Sequence, residues 1–574
     1  MRFLTQHIPA LTWLRGYRRA DLPSDLVAGI VTAIMLIPQS MAYAQLAGLP
    51  PQVGLYASVL PLAVYALLGT SRQLSVGPVA ITSLAVFTGV SALAEPGSPR
   101  YLQLVLLLAL MIGAVKLLLG FLRLGVVMNF ISHPVLQGFT SASALIIAAG
   151  QLKYLVGYRL EGERIFEQLA SLVLGLGKLN LVTLTIGVVS ISLLLLFRLK
   201  LRGFLTARTK LPKTAVTLIV SGAPLVTVLL GTLIAAVYRL DQTAAVAIVG
   251  AIPQGFQPAA LPALTVADLQ ALVPTMLTIV FISVVESIAV ARALAAKRRQ
   301  SIDSNQELIA LGAANIAAGL SGGYPVTGGF ARSVVNDQAG AQTGLASLIT
   351  AGTIAVIILF LTPLFYALPQ AVLAATVIVA VSGLVKLSEP LHIWRVNRSD
   401  AVTWAVTFAA VLLLGIEIGI LAGVVSSLLL FVWRSSRPHY AVVGRVAGSE
   451  HYRNVLRHQV ETWPQVLAVR VDESLYFANA AYLESTLLRL VSEQAQVRAL
   501  VLIGSAINFI DAGAAETLQS LTEKLQAAGV ELHLAEIKGP VMDRLERAHL
   551  VDMIGRERIH LSTHDAMRSL GCVS

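Results

Sequence analysis

Charge is what this chain of 574 residues has least of: Asp, Glu, Lys and Arg make up 13% of it, while 56% is hydrophobic. A soluble protein of that length needs far more charged surface, because its cores cannot hide so much apolar area. A soluble fold is excluded for most of the chain, and a polytopic α-helical membrane protein is predicted, with the lipid bilayer as solvent for its outer face. Cysteine is nearly missing as well. The single one, Cys572, excludes a disulfide framework within the chain and a cysteine-built metal site. Aromatic residues reach only 6%, against 44 glycines, a balance that suits helices packed closely in lipid. A Walker A motif is also lacking. Gly177-Lys178 is followed by Leu179 rather than Ser or Thr, which argues against an ATP-driven pump and for an ion gradient as the energy source. The net charge of +11 has one reading as a nucleic-acid footprint. The basic residues sit in short loops between apolar runs, however, where membrane topology requires them, so no nucleic-acid partner is expected.

Apolar stretches of roughly 15–25 residues recur between 26 and 434, long enough for spanning or half-spanning helices. About fourteen are expected, near 26–46, 52–69, 76–93, 101–121, 134–151, 180–198, 214–237, 269–292, 304–320, 327–340, 343–365, 369–386, 400–415 and 417–434. Basic loops test this count. Arg198, Lys200, Arg202, Arg208, Lys210 and Lys213 fall in one predicted inner connection. Lys297, Arg298 and Arg299 fall in another, and Lys386, Arg395 and Arg398 in a third. The predicted outer loops are mixed, with Arg159, Glu161, Glu163, Arg164 and Glu167, or uncharged, as at Ser321–Pro325. Both termini are therefore expected in the cytoplasm. The basic segment 1–25, with Arg2, Arg15, Arg18 and Arg19, is unlike a cleaved signal and belongs on that side. With no targeting extension, the chain fits a bacterial cytoplasmic (inner) membrane.

Two spans break the pattern. One opens Ser75-Val76-Gly77-Pro78-Val79-Ala80 and the other Tyr324-Pro325-Val326-Thr327-Gly328-Gly329. Each is a Gly/Pro break at membrane depth followed by a helix, and they lie about 250 residues apart, as do the first and eighth spans. Paired breaks at matching places in two halves point to an inverted repeat with a binding site at the midplane. After Arg434 the composition changes. Val466–Val471, Ala499–Ile503 and Val530–Ala535 read as strands, Tyr482–Ser492 and Ala515–Ala527 as amphipathic helices. The expected organisation is an N-terminal segment (1–25), a transporter domain (26–434), and a linker with a cytoplasmic α/β domain (435–574).

Ile37-Pro38-Gln39-Ser40-Met41-Ala42-Tyr43-Ala44, Ser75-Val76-Gly77-Pro78, Asn305-Gln306-Glu307-Leu308, Asn315, and the run Tyr324–Ser333 continuing through Asn336 and Gln338–Thr343 carry a resemblance. In this order and spacing they resemble the SulP family, sulfate-permease-type anion transporters ending in a STAS domain. The resemblance implies about fourteen transmembrane segments in a 7+7 inverted repeat with core and gate domains. Spans one to four and eight to eleven would form the core. It also implies a homodimer and an elevator-like movement of core against gate.

An anion entering a membrane must exchange its hydration shell for fixed donors. Two half-helices with facing N-termini supply free N–H groups and positive dipole ends. Candidate substrate-binding residues are therefore Val79 and Ala80 (with Ile81 beyond) on one start and Gly328, Gly329, Phe330 and Ala331 on the other. Arg332 has a guanidinium fork suited to an oxyanion. Gln39 and Tyr43 share a helix face and match positions lining the family's anion cavity. Ser287 and Thr327 are further candidates. Glu286, the sole charged residue between Asp268 and Arg292, is expected to couple protons, with Arg332 as its partner. A permanent Glu–Arg pair joining two helices is the alternative.

The predicted activity is proton-coupled symport of sulfate or a similar small anion, without metal or cofactor. Its rivals are C4-dicarboxylate/proton symport and sodium/bicarbonate symport. An anion channel or anion-sensing membrane protein is a second class. An enzyme is the third, for which His533 and His564 lack partner residues and read as surface or packing histidines. In the soluble domain, Phe509-Ile510-Asp511-Ala512-Gly513-Ala514-Ala515-Glu516 lacks the hydroxyl carried by STAS relatives that are switched by phosphorylation. Asp511 should cap a helix, and the domain's roles narrow to folding, dimer contact or docking of a cytoplasmic partner.

Overall fold

A computed structural model describes residues 8–125, 132–162, 164–209, 216, 219–220, 222–256, 265–386 and 388–573. Arg2, Glu163, Lys210, Lys213 and much of the start of the span expected at 214–237 lie outside these residues. The chain divides into two compact units, Met1–Val425 and Ser426–Ser574.

The first unit is helical. Its main elements are α1 (Leu22–Leu46), α2 (Leu60–Leu68), α3 (Ala80–Ser91), α4 (Pro99–Phe121), α5 (His133–Val156), α6 (Leu181–Leu196), α7 (Ala223–Tyr238), α8 (Val266–Lys297), α9 (Ser304–Leu320), α10 (Phe330–Gln338), α11 (Leu345–Val356), α12 (Gln370–Ser382), α13 (Arg398–Leu414) and α14 (Ile416–Ser435). The division between units falls within α14. Among the described residues, 8 helical stretches are long and apolar enough to cross a membrane. Leu229, Leu233 and Val237 repeat every four residues along α7 and are exposed, the stripe expected of a face turned to lipid. The span expected at 52–69 is two helices, Pro51–Tyr56 and Leu60–Leu68, because the chain turns at Ala57–Val59 and restarts with Pro61 in the first turn.

Helices α3 and α10 are short, with 12 and 9 residues. At 1.5 Å per residue they reach about 18 and 14 Å, half of a bilayer core. Each follows a strand of two residues, β1 (Val76–Gly77) and β2 (Thr327–Gly328), and the two strands pair antiparallel.

Buried acids fasten the surrounding helices. Glu307, at the start of α9, accepts from Tyr65 (2.6 Å), from the Thr70 amide and hydroxyl (2.7 and 2.6 Å) and from the Ser71 amide (3.0 Å). Asp25 on α1 accepts from the Gln342 and Thr343 amides and the Thr343 hydroxyl just before α11. Asp337, near the end of α10, receives Lys297 at 2.6 Å and Arg298 at 2.7 Å from the end of α8. The α4–α9 crossing is close because Gly113 and Gly312 face each other's backbone. A Cβ on Gly113 would lie 2.8 Å from the Gly312 carbonyl oxygen, the small-residue contact that membrane helices favour.

The second unit is an α/β domain. Its strands β3 (Tyr440–Arg445), β4 (Tyr452–Asn454), β5 (Val466–Val471), β6 (Ala499–Ile503), β7 (Glu531–Ala535) and β8 (Ile559–His560) form one sheet in the order β4-β3-β5-β6-β7-β8. From β5 to β8 all pairs are parallel, and β3 is antiparallel to both its neighbours. Central β6 is buried along its whole length, as a parallel strand covered on both faces must be. Helices α15 (Ala480–Ser492) and α16 (Ala512–Ala527) bury Leu483, Leu487, Leu518, Leu521 and Leu525 in one core. Asp511 caps α16 through the Ala514 amide at 2.8 Å and also accepts from the Phe477 amide.

Candidate anion site

The two short helices start beside each other because β1 and β2 cross, with Val76 opposite Gly328 and Gly77 opposite Thr327. The residues before each first turn, Val79 and Gly329, are extended and provide no side-chain cap. The first N–H groups of a helix have no partner within it, so two sets of donors and two positive dipole ends converge on the crossing. Small polar groups hold it in register. Ser287 Oγ on α8 accepts from the Gly328 amide at 2.9 Å and lies 2.7 Å from Thr327 Oγ1, which donates to the Ser283 carbonyl at 3.0 Å. Ser333 Oγ accepts from the Ser75 amide at 2.9 Å. Asn315 bonds both the N–H and the C=O of Val326, each at 3.0 Å, as a missing strand would.

Arg332 lies under the crossing, 2% exposed. Nη1 donates to the Pro78 carbonyl at 3.0 Å, and Nε and Nη2 donate to the Ser75 carbonyl at 3.3 and 3.2 Å. The expected Arg332–Glu286 pair is not formed: Glu286 has no ion pair among the described residues, and its Oε2 is buried without a hydrogen-bond partner. The reason is local. The Ser75 and Pro78 carbonyls flank β1 outside any helix, and the guanidinium donates to both, joined at Ser75 by the Gly329 amide. The two charges still interact through space. Glycine at 328 and 329 leaves room for the side chains packed against the crossing. A Cβ on Gly329 would lie 3.0 Å from Arg332 Nη2, and one on Gly328 would lie 2.8 Å from Leu74.

Of the other predicted residues, Ala80 is buried, Val79 half-buried, and Phe330 and Ala331 exposed at the start of α10. Gln39 Nε2 donates to Tyr43 OH at 3.0 Å, and both side chains are buried on α1. Beside the crossing is a cavity of about 290 Å³. Gln39 and Ala331 line one wall, and Arg198 just after α6, Ala223 at the start of α7 and Thr376 in the middle of α12 line the other. Sequence reasoning gave no role to Ser283, Ser333 or Asn315, nor to the Ser83–Tyr324 hydroxyl contact at 2.9 Å. The signal was there: Ser283 and Ser287 recur at helical spacing on an otherwise apolar face.

In the second unit His533 and His564 are buried, so they are packing rather than surface residues. No group of three or more His, Cys, Asp or Glu able to hold a metal occurs among the described residues.

A helical unit with several stretches long enough to cross a membrane and a paired set of half-helices, followed by an α/β domain, defines a polytopic membrane protein with an appended domain. Two family models match: the Sulfate permease family over residues 22–407 and the STAS domain over 457–566. The chain is 38% identical over 573 residues to the probable sulfate transporter 4.2 of Arabidopsis thaliana, covering 98% of this chain and 83% of that one. It is 35% identical over 563 residues to a probable sulfate transporter of Mycobacterium tuberculosis, covering 98% and 97%. The structure of the murine Solute Carrier 26 family member A9 anion transporter, in its inward-facing state, superimposes with a TM-score of 0.90 at 25% identity, covering 100% and 95%. The chain belongs to the sulfate permease family. It is a multi-pass anion transporter with a C-terminal STAS domain.

Proposed function

We propose that the chain is a proton-coupled symporter of sulfate or a similar oxyanion, working by elevator-like alternating access. The observation that carries this reading is the pair of uncapped helix starts at the β1–β2 crossing, with buried Arg332 beneath them. Val79, Ala80, Phe330 and Ala331 present backbone to the anion, whereas the Gly328 and Gly329 amides, expected to join them, are taken by Ser287 Oγ and the Ser75 carbonyl. Gln39 and Tyr43 face the anion from α1, and Arg332 supplies fixed positive charge. Glu286 takes the proton. Its unpartnered carboxyl oxygen is costly to leave charged in an apolar surrounding, and it precedes Ser287, which holds the Gly328 amide. Proton loading there is read at the crossing through the charge it shares space with. The cavity between α1 and α10 on one side and α6, α7 and α12 on the other supports movement of one group against the other.

In this reading residues 26–434 form the transporter, 1–25 and 435–574 lie in the cytoplasm of a bacterial inner membrane, and two copies assemble as a homodimer.

Uptake of labelled sulfate into proteoliposomes, with and without an inward proton gradient, tests it. Wild type should accumulate sulfate only with the gradient, and Glu286→Gln should lose accumulation while still binding the anion. Sodium dependence and indifference to the substitution would shift the reading to bicarbonate. Passive chloride flux without accumulation would shift it to a channel.

A further inference from the structure

Arg198 is the one charged side chain lining the cavity beside the crossing, among the described residues. It follows α6 directly, in a π turn over Phe197–Leu201, and is solvent-exposed. Two observations separate it from an ordinary loop cation. First, it is fixed in place. Nη1 donates to the Val379 carbonyl at 2.8 Å and to Ser382 Oγ at 3.3 Å, both in the last turn of α12. The last carbonyls of a helix lack donors within it and form the negative end of its dipole, so they orient a guanidinium firmly. Second, both bonds use Nη1. The Nε–Nη2 edge has no partner among the described residues, which leaves one two-pronged face of the fork for a ligand.

The opposite wall carries Ala331, in the uncapped first turn of α10, together with Gln39. A single cavity thus joins a fixed cation just after α6 to the first turn of α10 at the crossing. We propose that Arg198 is the recruiting residue of the carrier: it takes an oxyanion through two acceptor oxygens and passes it across the cavity to the α10 start. This rests on the transport reading above. An anion with two oxygens in one plane of approach matches the two prongs one to one, whereas a halide offers both prongs a single shared acceptor.

The test uses the full chain in proteoliposomes, with initial sulfate uptake measured against concentration at low and high ionic strength. Arg198→Gln should raise KM about tenfold, leave the maximal rate within about twofold, and flatten the dependence of KM on salt. Arg198→Lys should keep most of the salt dependence. An Arg198 that merely caps α12 predicts otherwise: both substitutions would lower the melting temperature and maximal rate at unchanged KM, and that result overturns the proposal. If wild type carries no sulfate, the substrate reading fails, and the comparison moves to succinate and bicarbonate. An unchanged KM for whichever anion is carried, or no carriage of any, overturns the role of Arg198 itself.

Discussion

Arg332 answers a need created by its neighbours. Ser75 and Pro78 flank β1 ahead of the first turn of α3, and both carbonyls accept from one guanidinium, Ser75 sharing it with the Gly329 amide. Replacing Arg332 by Gln leaves the Pro78 carbonyl without its donor, weakens the bonding of the Ser75 carbonyl and removes the buried cation under the crossing. Each buried polar group left unsatisfied costs about 1–3 kcal/mol. We expect a lower melting temperature in detergent, measured by tryptophan fluorescence, along with abolished sulfate uptake; unaltered melting would contradict the structural part of this assignment. At this scale the sequence was informative about which residues matter and uninformative about how they pair. Glu286 and Arg332 were visible as lone charges in apolar runs, so a mutual ion pair was the economical expectation. The carbonyls that claim Arg332 belong to a segment far away in sequence, and periodicity carries no record of them.

Among elements, the half-helices were legible because Gly and Pro interrupt two apolar runs at matching places. The strand pairing that brings them together was not, since strands of two residues leave no alternation to read. In the second unit β5, β6 and β7 were evident from apolar runs, while short β4 and β8, and also β3, were missed. One consequence of β8 is chemical. It sets His560 Nε2 at 3.0 Å from His533 Nδ1, the rings stacked with centroids 5.3 Å apart. Burial, then the neighbouring His560, holds His533 below the usual imidazole range, with Glu531 opposing and Arg558 reinforcing the shift. Burial also lowers His560, with Asp565 opposing. Because the folded forms bind protons less readily than the unfolded chain, the stability from neutral histidines is present above about pH 6.5 and is lost as pH falls through the depressed folded values. Amide protection factors in β7 and β8 should decline between pH 7.5 and 5, and His533→Gln should blunt that decline. Equal protection at both pH values would show that the pair tolerates two protons.

For the whole transporter unit, α1 packs directly on α7 and α12 around the cavity, so movement of α1 and α10 against these helices would remake those contacts and change the cavity's width. Spin labels at Ala331 and Ala380, on opposite walls, should report a distance distribution that shifts when sulfate and a proton gradient are supplied together. A distribution indifferent to both would argue for a rigid channel. Hydropathy foresaw a membrane unit and a soluble one, and motif order foresaw the family. Neither located the cavity, because its second wall is assembled from parts of α6, α7 and α12 that look like ordinary topology signals; Arg198 was counted there only as one basic residue among six.

The absence of side-chain caps at Val79 and Gly329 bears on how the family can vary. Most helices begin with Ser, Thr, Asp or Asn, which quiet the free amides from within. Here such a residue would be a tethered inhibitor, present at an effective concentration no cytoplasmic anion could match. Selection for stability and selection for traffic therefore pull in opposite directions at these two positions. A carrier built this way has to keep its helix starts unfinished.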